Sequence, residues 1–150
     1  MRRRVGTTDR ELGVELFNRT WTLLETPDRD PDELVHCAHA SAYHWMQGGG
    51  TAANRARSEW QCSRVYAVLG RPEPALHHAR RCLEICESAP DEMEEFDLPF
   101  AYEALARAHA VAGDEAESRE WLARARSAAE RISDEDDRVL LESDLASIGH

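Results

Sequence analysis

Five of the seven histidines crowd into two short stretches, His36, His39 and His44 in one and the adjacent pair His77-His78 in the other. Their chemistry would be metal ligation or proton transfer. On a helix His36 and His39 share a face, whereas His44 lies about 140° around from His39, so one ion does not take all three. Glu59 adds a carboxylate from the intervening segment. Helical metal proteins build sites by pooling ligands from facing helices, and His36, His39, His44, Glu59 and His78 are the residues available for that here. No His-Glu-x-x-His pair supports it. These histidines therefore read first as structural or surface residues, with no metal and no cofactor expected. The alternative reading is a small-molecule or metal-binding helical protein, an enzyme included, using this His/Glu cluster on the second to fourth helices.

Nucleophilic chemistry has less to work with. Ser63, Cys37 and Cys62 fall inside helical patterns, without the sharp elbow or paired base that activates a nucleophile. The four cysteines, Cys37, Cys62, Cys82 and Cys86, form no Cys-x-x-Cys pair. Cys82 and Cys86, one helical turn apart, read as packing residues and as reduced thiols. Gly48-Gly49-Gly50 follows a helix rather than a strand, the wrong context for a phosphate loop. The chain is expected not to be an enzyme.

Charge narrows the partners. Over 150 residues there are 29 acidic and 18 basic side chains, a net charge of −11, and all 18 basic residues are arginine. Such a balance argues against binding a nucleic-acid backbone, and the missing lysine removes a Walker lysine and Schiff-base chemistry. The start, Met1-Arg2-Arg3-Arg4, has no apolar stretch behind it, and no run approaches the roughly 18 apolar residues of a membrane span. No membrane association and a cytoplasmic location are expected. Richness in Ala, Arg and Glu suits helices and a GC-rich bacterial genome.

Helix punctuation is clear along the chain. Thr8-Asp9-Arg10-Glu11 reads as a capping box, opening a helix to about Glu25. Asp30-Pro31 opens a second, which Gly48-Gly49-Gly50 ends. A third runs from near Thr51 to Gly70, and a fourth from Pro72 to about Glu87. After a joint with Pro90 and an acidic run, Asp97 is expected to cap a fifth helix ending at Gly113. A sixth runs from Asp114 to about Ile132, and a seventh, capped by Ser133-Asp134-Glu135-Asp136, reaches Ile148. No segment alternates with period two, so the expected class is all-α, about seven helices.

Self-similarity organises these helices. A shift of 43 residues superimposes Gly70 on Gly113, Arg64 on Arg107, Tyr66 on His109, Ser63 on Ala106, Ala75 on Ser118 and Cys82 on Ala125. Tyr102-x2-Leu105-Ala106-x2-His109, Gly113 and Ser118-x3-Leu122 resemble the tetratricopeptide repeat, and Glu59-x2-Cys62-Ser63-x2-Tyr66, Gly70 and Ala75-x3-Ala79 form a looser copy. The period exceeds the usual ~34 residues. Glu59 stands where the pattern wants a large apolar residue; either Trp60 next to it takes that role, or Glu59 is a buried carboxylate in need of a partner.

This resemblance implies a right-handed solenoid of antiparallel helix pairs forming a single domain. Its parts are a degenerate pair over 8–47, repeats over 51–89 and 97–132, and a capping helix over 133–148. It also implies a concave groove lined by the first helix of each pair, holding a peptide or helix of a partner protein. In that register Trp60, Gln61, Arg64, Glu103 and Arg107 face the groove. Arg64 and Arg107 then form a ladder suited to an acidic group, unless Glu103 simply pairs with Arg107 one turn away and Trp60 stacks on Arg64. The first helix carries two apolar strips, Leu12-Leu16-Leu23 and Phe17-Trp21-Leu24, wider than a terminal helix needs; a homodimer is the expected way to cover the second.

Overall fold

A computed structural model describes residues 7–149. Those residues form seven α-helices: α1 (Asp9–Glu25), α2 (Pro31–Gln47), α3 (Ala52–Val68), α4 (Pro72–Ser88), α5 (Asp97–Val111), α6 (Glu115–Ala129) and α7 (Glu135–Ala146). A short 3-10 turn over Pro90–Glu92 lies in the α4–α5 joint, and no strand occurs among the described residues. Helix starts follow the capping chemistry of the sequence. The hydroxyls of Thr8 and Thr51 and the carboxylates of Asp30, Asp114 and Asp134 each accept a first-turn backbone N–H.

The α5 start departs from expectation. Asp97 is already helical, and Phe96 holds the cap position without a side-chain bond. The Asp97 carboxylate is instead drawn to the Glu94 N–H at 2.8 Å and to the Arg57 guanidinium. The ends of α6 and α7 also come early. Ile132 and Ile148 lie beyond the regular helices in closing turns, yet both are buried in one cluster with Leu122, Leu141 and Leu145.

Consecutive helices pair as α1/α2, α3/α4 and α5/α6, and the array advances through contacts of α2 with α3 and of α4 with α5. Along one side α3 packs on α5 and α5 on α7. The core is segmented accordingly: one cluster joins α1, α2 and α3, two join α3, α4 and α5, and one joins α5, α6 and α7. Each unit thus buries its apolar face against its neighbours, as in a helical repeat array.

The repeat is visible at atomic detail. Ser63 Oγ donates to the Ala75 carbonyl at 2.8 Å, and Ser118 Oγ donates to the Ala106 carbonyl at 2.7 Å. The 43-residue shift exchanges the partners, so the same close helix crossing is held by a hydroxyl from opposite helices. The hairpin turns match too. Gly70 (φ 71°) and Gly113 (φ 81°) both sit in the left-handed region. Arg71 N–H reaches the Tyr66 carbonyl at 2.9 Å, and Asp114 N–H the His109 carbonyl at 3.0 Å, the same six-residue closure of a helix end. A Cβ at either glycine meets no atom within 4 Å, so Gly70→Ala and Gly113→Ala are expected to cost the same backbone strain, about 1–2 kcal/mol each. Urea denaturation of the two variants checks this; markedly unequal losses would contradict the equivalence of the units.

The two apolar strips of α1 face different ways. Leu16, Leu23 and Leu24 pack with Leu34, Cys37 and Val65, while Phe17 and Trp21 turn toward a cavity between the odd-numbered helices.

Candidate functional site

Side chains of α1, α3, α5 and α7 line a half-open cavity of about 700 Å³. Spacing within each helix explains who lines it. Phe17 and Trp21, Trp60 and Arg64, and Phe96 and Phe100 are i, i+4 pairs, while Asp137, Leu140 and Asp144 follow i, i+3, i+7 along one helical stripe. The aromatic rings form a continuous floor: Trp60 lies 5.4 Å from Trp21 and 5.5 Å from Phe100 between centroids, and Phe96 lies 6.3 Å from Phe100. A second, smaller cavity of about 190 Å³ lies between Val14, Phe17, Asn18, Trp45, Asn54 and Arg57. It shares Phe17 and Arg57 with the first, so the groove continues toward the start of α3.

Beneath this floor lies a charge network in which one buried nitrogen, Arg64 Nη1, has no hydrogen-bond partner. Glu103 is fully buried. Its carboxylate accepts from Arg107 Nε at 2.7 Å and Trp60 Nε1 at 2.8 Å, and stands 3.6 Å from Arg64 Nη1. Arg107 also donates to the Asp144 carbonyl at 2.9 Å and Ser147 Oγ at 2.8 Å, and Arg64 Nη2 reaches the Asp144 carboxylate at 3.5 Å. Two guanidiniums thus face two carboxylates, and the four side chains tie α7 to α3 and α5. Buried charges persist when compensated in this way. At the other end of the floor Asp97, also buried, takes Arg57 in a two-pronged pair at 2.9 Å for each bond.

The five residues expected in the groove therefore separate. Trp60 and Arg64 line it. Gln61 is buried with its amide donating to the Phe17 carbonyl at 3.0 Å, holding α3 on α1. Glu103 lies behind the floor, and Arg107 is turned onto α7. Arg64 stacks over Trp21, at 5.9 Å, rather than over Trp60. Trp21 is the residue one repeat earlier in the same register.

The histidines form a different assembly, across α2, α3 and α4. His39 Nε2 and Tyr66 Oη share a hydrogen bond at 2.8 Å, and His78 Nδ1 donates to the Glu59 carboxylate at 2.6 Å. The His78 ring stacks on Tyr66 with centroids 5.6 Å apart and lies 5.3 Å from His39. Glu59 is thus a half-buried carboxylate with a partner, while Trp60 next to it takes the groove. His44 is elsewhere, 2.8 Å from Asp9, and His36 is exposed. Among the described residues no three His, Cys, Asp or Glu side chains converge as a metal site. Burial, together with Glu59, pushes the neighbouring Cys62 thiol up to about 12, so it stays protonated.

Burial first, and then the His78 and His36 rings, hold the His39 imidazole below its ordinary 6.5 against the opposing pull of Glu59. The unfolded chain takes up that proton at the ordinary value. The associated stability is therefore full above 6.5 and erodes as the pH falls from there through the lowered folded value. Thermal melts between about pH 7.5 and about 5.5 should show the midpoint falling with acid, and His39→Gln should flatten part of that fall. An unchanged slope in the variant would remove His39 from the account.

The contribution of α7 was missing from the sequence reading, as was the Arg57–Asp97 pair. The 137/140/144 stripe was visible as spacing, but the surface it meets was not. No family model, no curated protein and no solved structure matches the chain. No helix among the described residues is long and apolar enough to cross a membrane.

Proposed function

We propose that the chain is a non-enzymatic, tetratricopeptide-like interaction module that takes a peptide or helix of a partner protein in the groove of α1, α3, α5 and α7. One observation carries the reading. Of the six large apolar side chains left exposed among the described residues, Val14, Val68 and Leu140 line the two cavities, around an aromatic floor. Exposed apolar side chains gathered around an aromatic concavity are the mark of a binding surface; Tyr43, Met46 and Val139, the other three, lie outside the two cavities. The 43-residue repeat and its matched glycine turns support the family likeness. The net charge of −11 supports a protein rather than a nucleic acid as partner. Four buried free cysteines accord with a cytoplasmic protein.

Selection of random peptides displayed on phage tests the reading. Peptides recovered on the native protein should lose binding to Leu140→Glu, a charge placed on an exposed side chain whose change leaves the melt intact. Peptides that bind the variant and the native protein equally would show that the groove is not where they bind.

A further inference from the structure

The cavity is lined by four carboxylates, Glu25, Asp97, Asp137 and Asp144, against two guanidiniums, Arg57 and Arg64. Both arginines already hold ion pairs, Arg57 with Asp97 and Arg64 with Glu103 and Asp144, although the buried Arg64 Nη1 makes no hydrogen bond. Arg107, the remaining guanidinium of the floor, is taken by Glu103 and α7. Among the described residues no ion pair reaches Glu25 or Asp137. They stand on α1 and α7, on two different walls of the cavity. Around Asp137 the charge is of one sign: its carboxyl is pushed up by partial burial and then by Asp134, Asp136, Glu94 and Glu95. The groove is therefore apolar at its floor and negative at its walls, in a chain of net charge −11. An acidic partner would bring a further negative charge against four carboxylates, where the two guanidiniums of the lining already hold ion pairs.

Resting on the groove assignment above, we propose that the occupant is a basic amphipathic segment, with Leu, Phe or Trp anchors against the aromatic floor and Arg or Lys flanking them toward Glu25 and Asp137. Aromatic rings accept both the apolar stem and the charged head of such side chains. Charge complementarity at a rim acts mainly through encounter rate and selection against wrong partners. This reverses the expectation of an acidic ligand, because the arginines behind that expectation are neutralised inside the fold.

The peptide selection described above supplies the test through the composition of what it recovers. Recovered peptides should pair large apolar residues with Arg or Lys. Their synthetic forms should bind Glu25→Gln/Asp137→Asn on the order of tenfold more weakly than the native protein, the scale of two partly screened charges. Binding to the native protein should weaken with salt, and the double variant should flatten that dependence. Recovery of acidic or uncharged peptides, or equal binding by the double variant, overturns the charge inference. If Leu140→Glu still abolishes binding in that case, the groove reading stands without it. If Leu140→Glu binds normally, the groove reading fails whatever the peptides' charge. A selection that enriches nothing on intact protein overturns both.

Discussion

Glu103→Ala is expected to lower the stability of the fold by about 3–5 kcal/mol, the cost of breaking a buried ion pair from one side. Glu103 is fully buried, and Arg64 and Arg107 are only 16% and 14% exposed at the side chain. Removing the carboxylate leaves two guanidiniums sharing Asp144, and it leaves the Trp60 indole N–H without its acceptor. Glu103→Gln should lose less, because an amide oxygen still accepts from Trp60 while the charge balance is gone. Urea denaturation with an unchanged slope against denaturant is the appropriate measurement. A Glu103→Ala variant as stable as the native protein would mean that the arginines do not depend on it, and would return them to the role of acid-recognising groups.

Trp60→Ala carries the second large effect. The ring is wedged between Trp21 and Phe100 and bonded to Glu103 at 2.8 Å. Truncation of a large aromatic costs about 3–5 kcal/mol at full burial, and a half-buried ring belongs at the lower end. Trp60→Phe keeps the aromatic floor but leaves a buried carboxylate short of one donor, at a cost of about 1–3 kcal/mol. Comparing the two variants therefore separates packing from the hydrogen bond. A Phe variant as damaged as the Ala variant would assign the effect to Glu103 alone and leave the floor without a structural role.

The helices were legible because their ends are written in local chemistry: prolines at the starts of α2 and α4, glycines after α3 and α5, and side-chain caps at Thr8, Thr51 and Asp134. The repeat was legible for a related reason. Close helix crossings demand small residues, and Ser63 with Ala75 matches Ala106 with Ser118 at the same offset. Arg64 and Arg107 are equivalent in the 43-residue offset, but Arg64 lines the cavity while Arg107 is turned onto α7. Between them stands Glu103, which the same offset puts in the position of Trp60 and which pairs with both. That one departure from the repeat ties the two arginines to a buried carboxylate.

What local pattern did not supply was the meeting of distant segments. Asp97 looked like a cap because an acidic residue before a first-turn proline usually is one. Only the packing of α3 on α5 brings Arg57 to it. Likewise Asp137, Leu140 and Asp144 share a face of α7, and it is the curvature of the array that sets this face opposite Phe17 and Trp21 across the cavity. Curvature accumulates from small rotations between units. No single segment encodes it.

The central claim, that a partner is held in the groove of the odd-numbered helices, is tested most directly by the four tryptophan indole signals in an NMR titration of nitrogen-labelled protein with a selected peptide. Trp21 and Trp60 line the main cavity, Trp45 lines the smaller one, and Trp121 packs against Tyr102 at 5.7 Å and lines neither. The account predicts that the Trp21 and Trp60 signals move with peptide concentration while Trp121 stays fixed. Movement of Trp121 with Trp21 and Trp60 unchanged would contradict it.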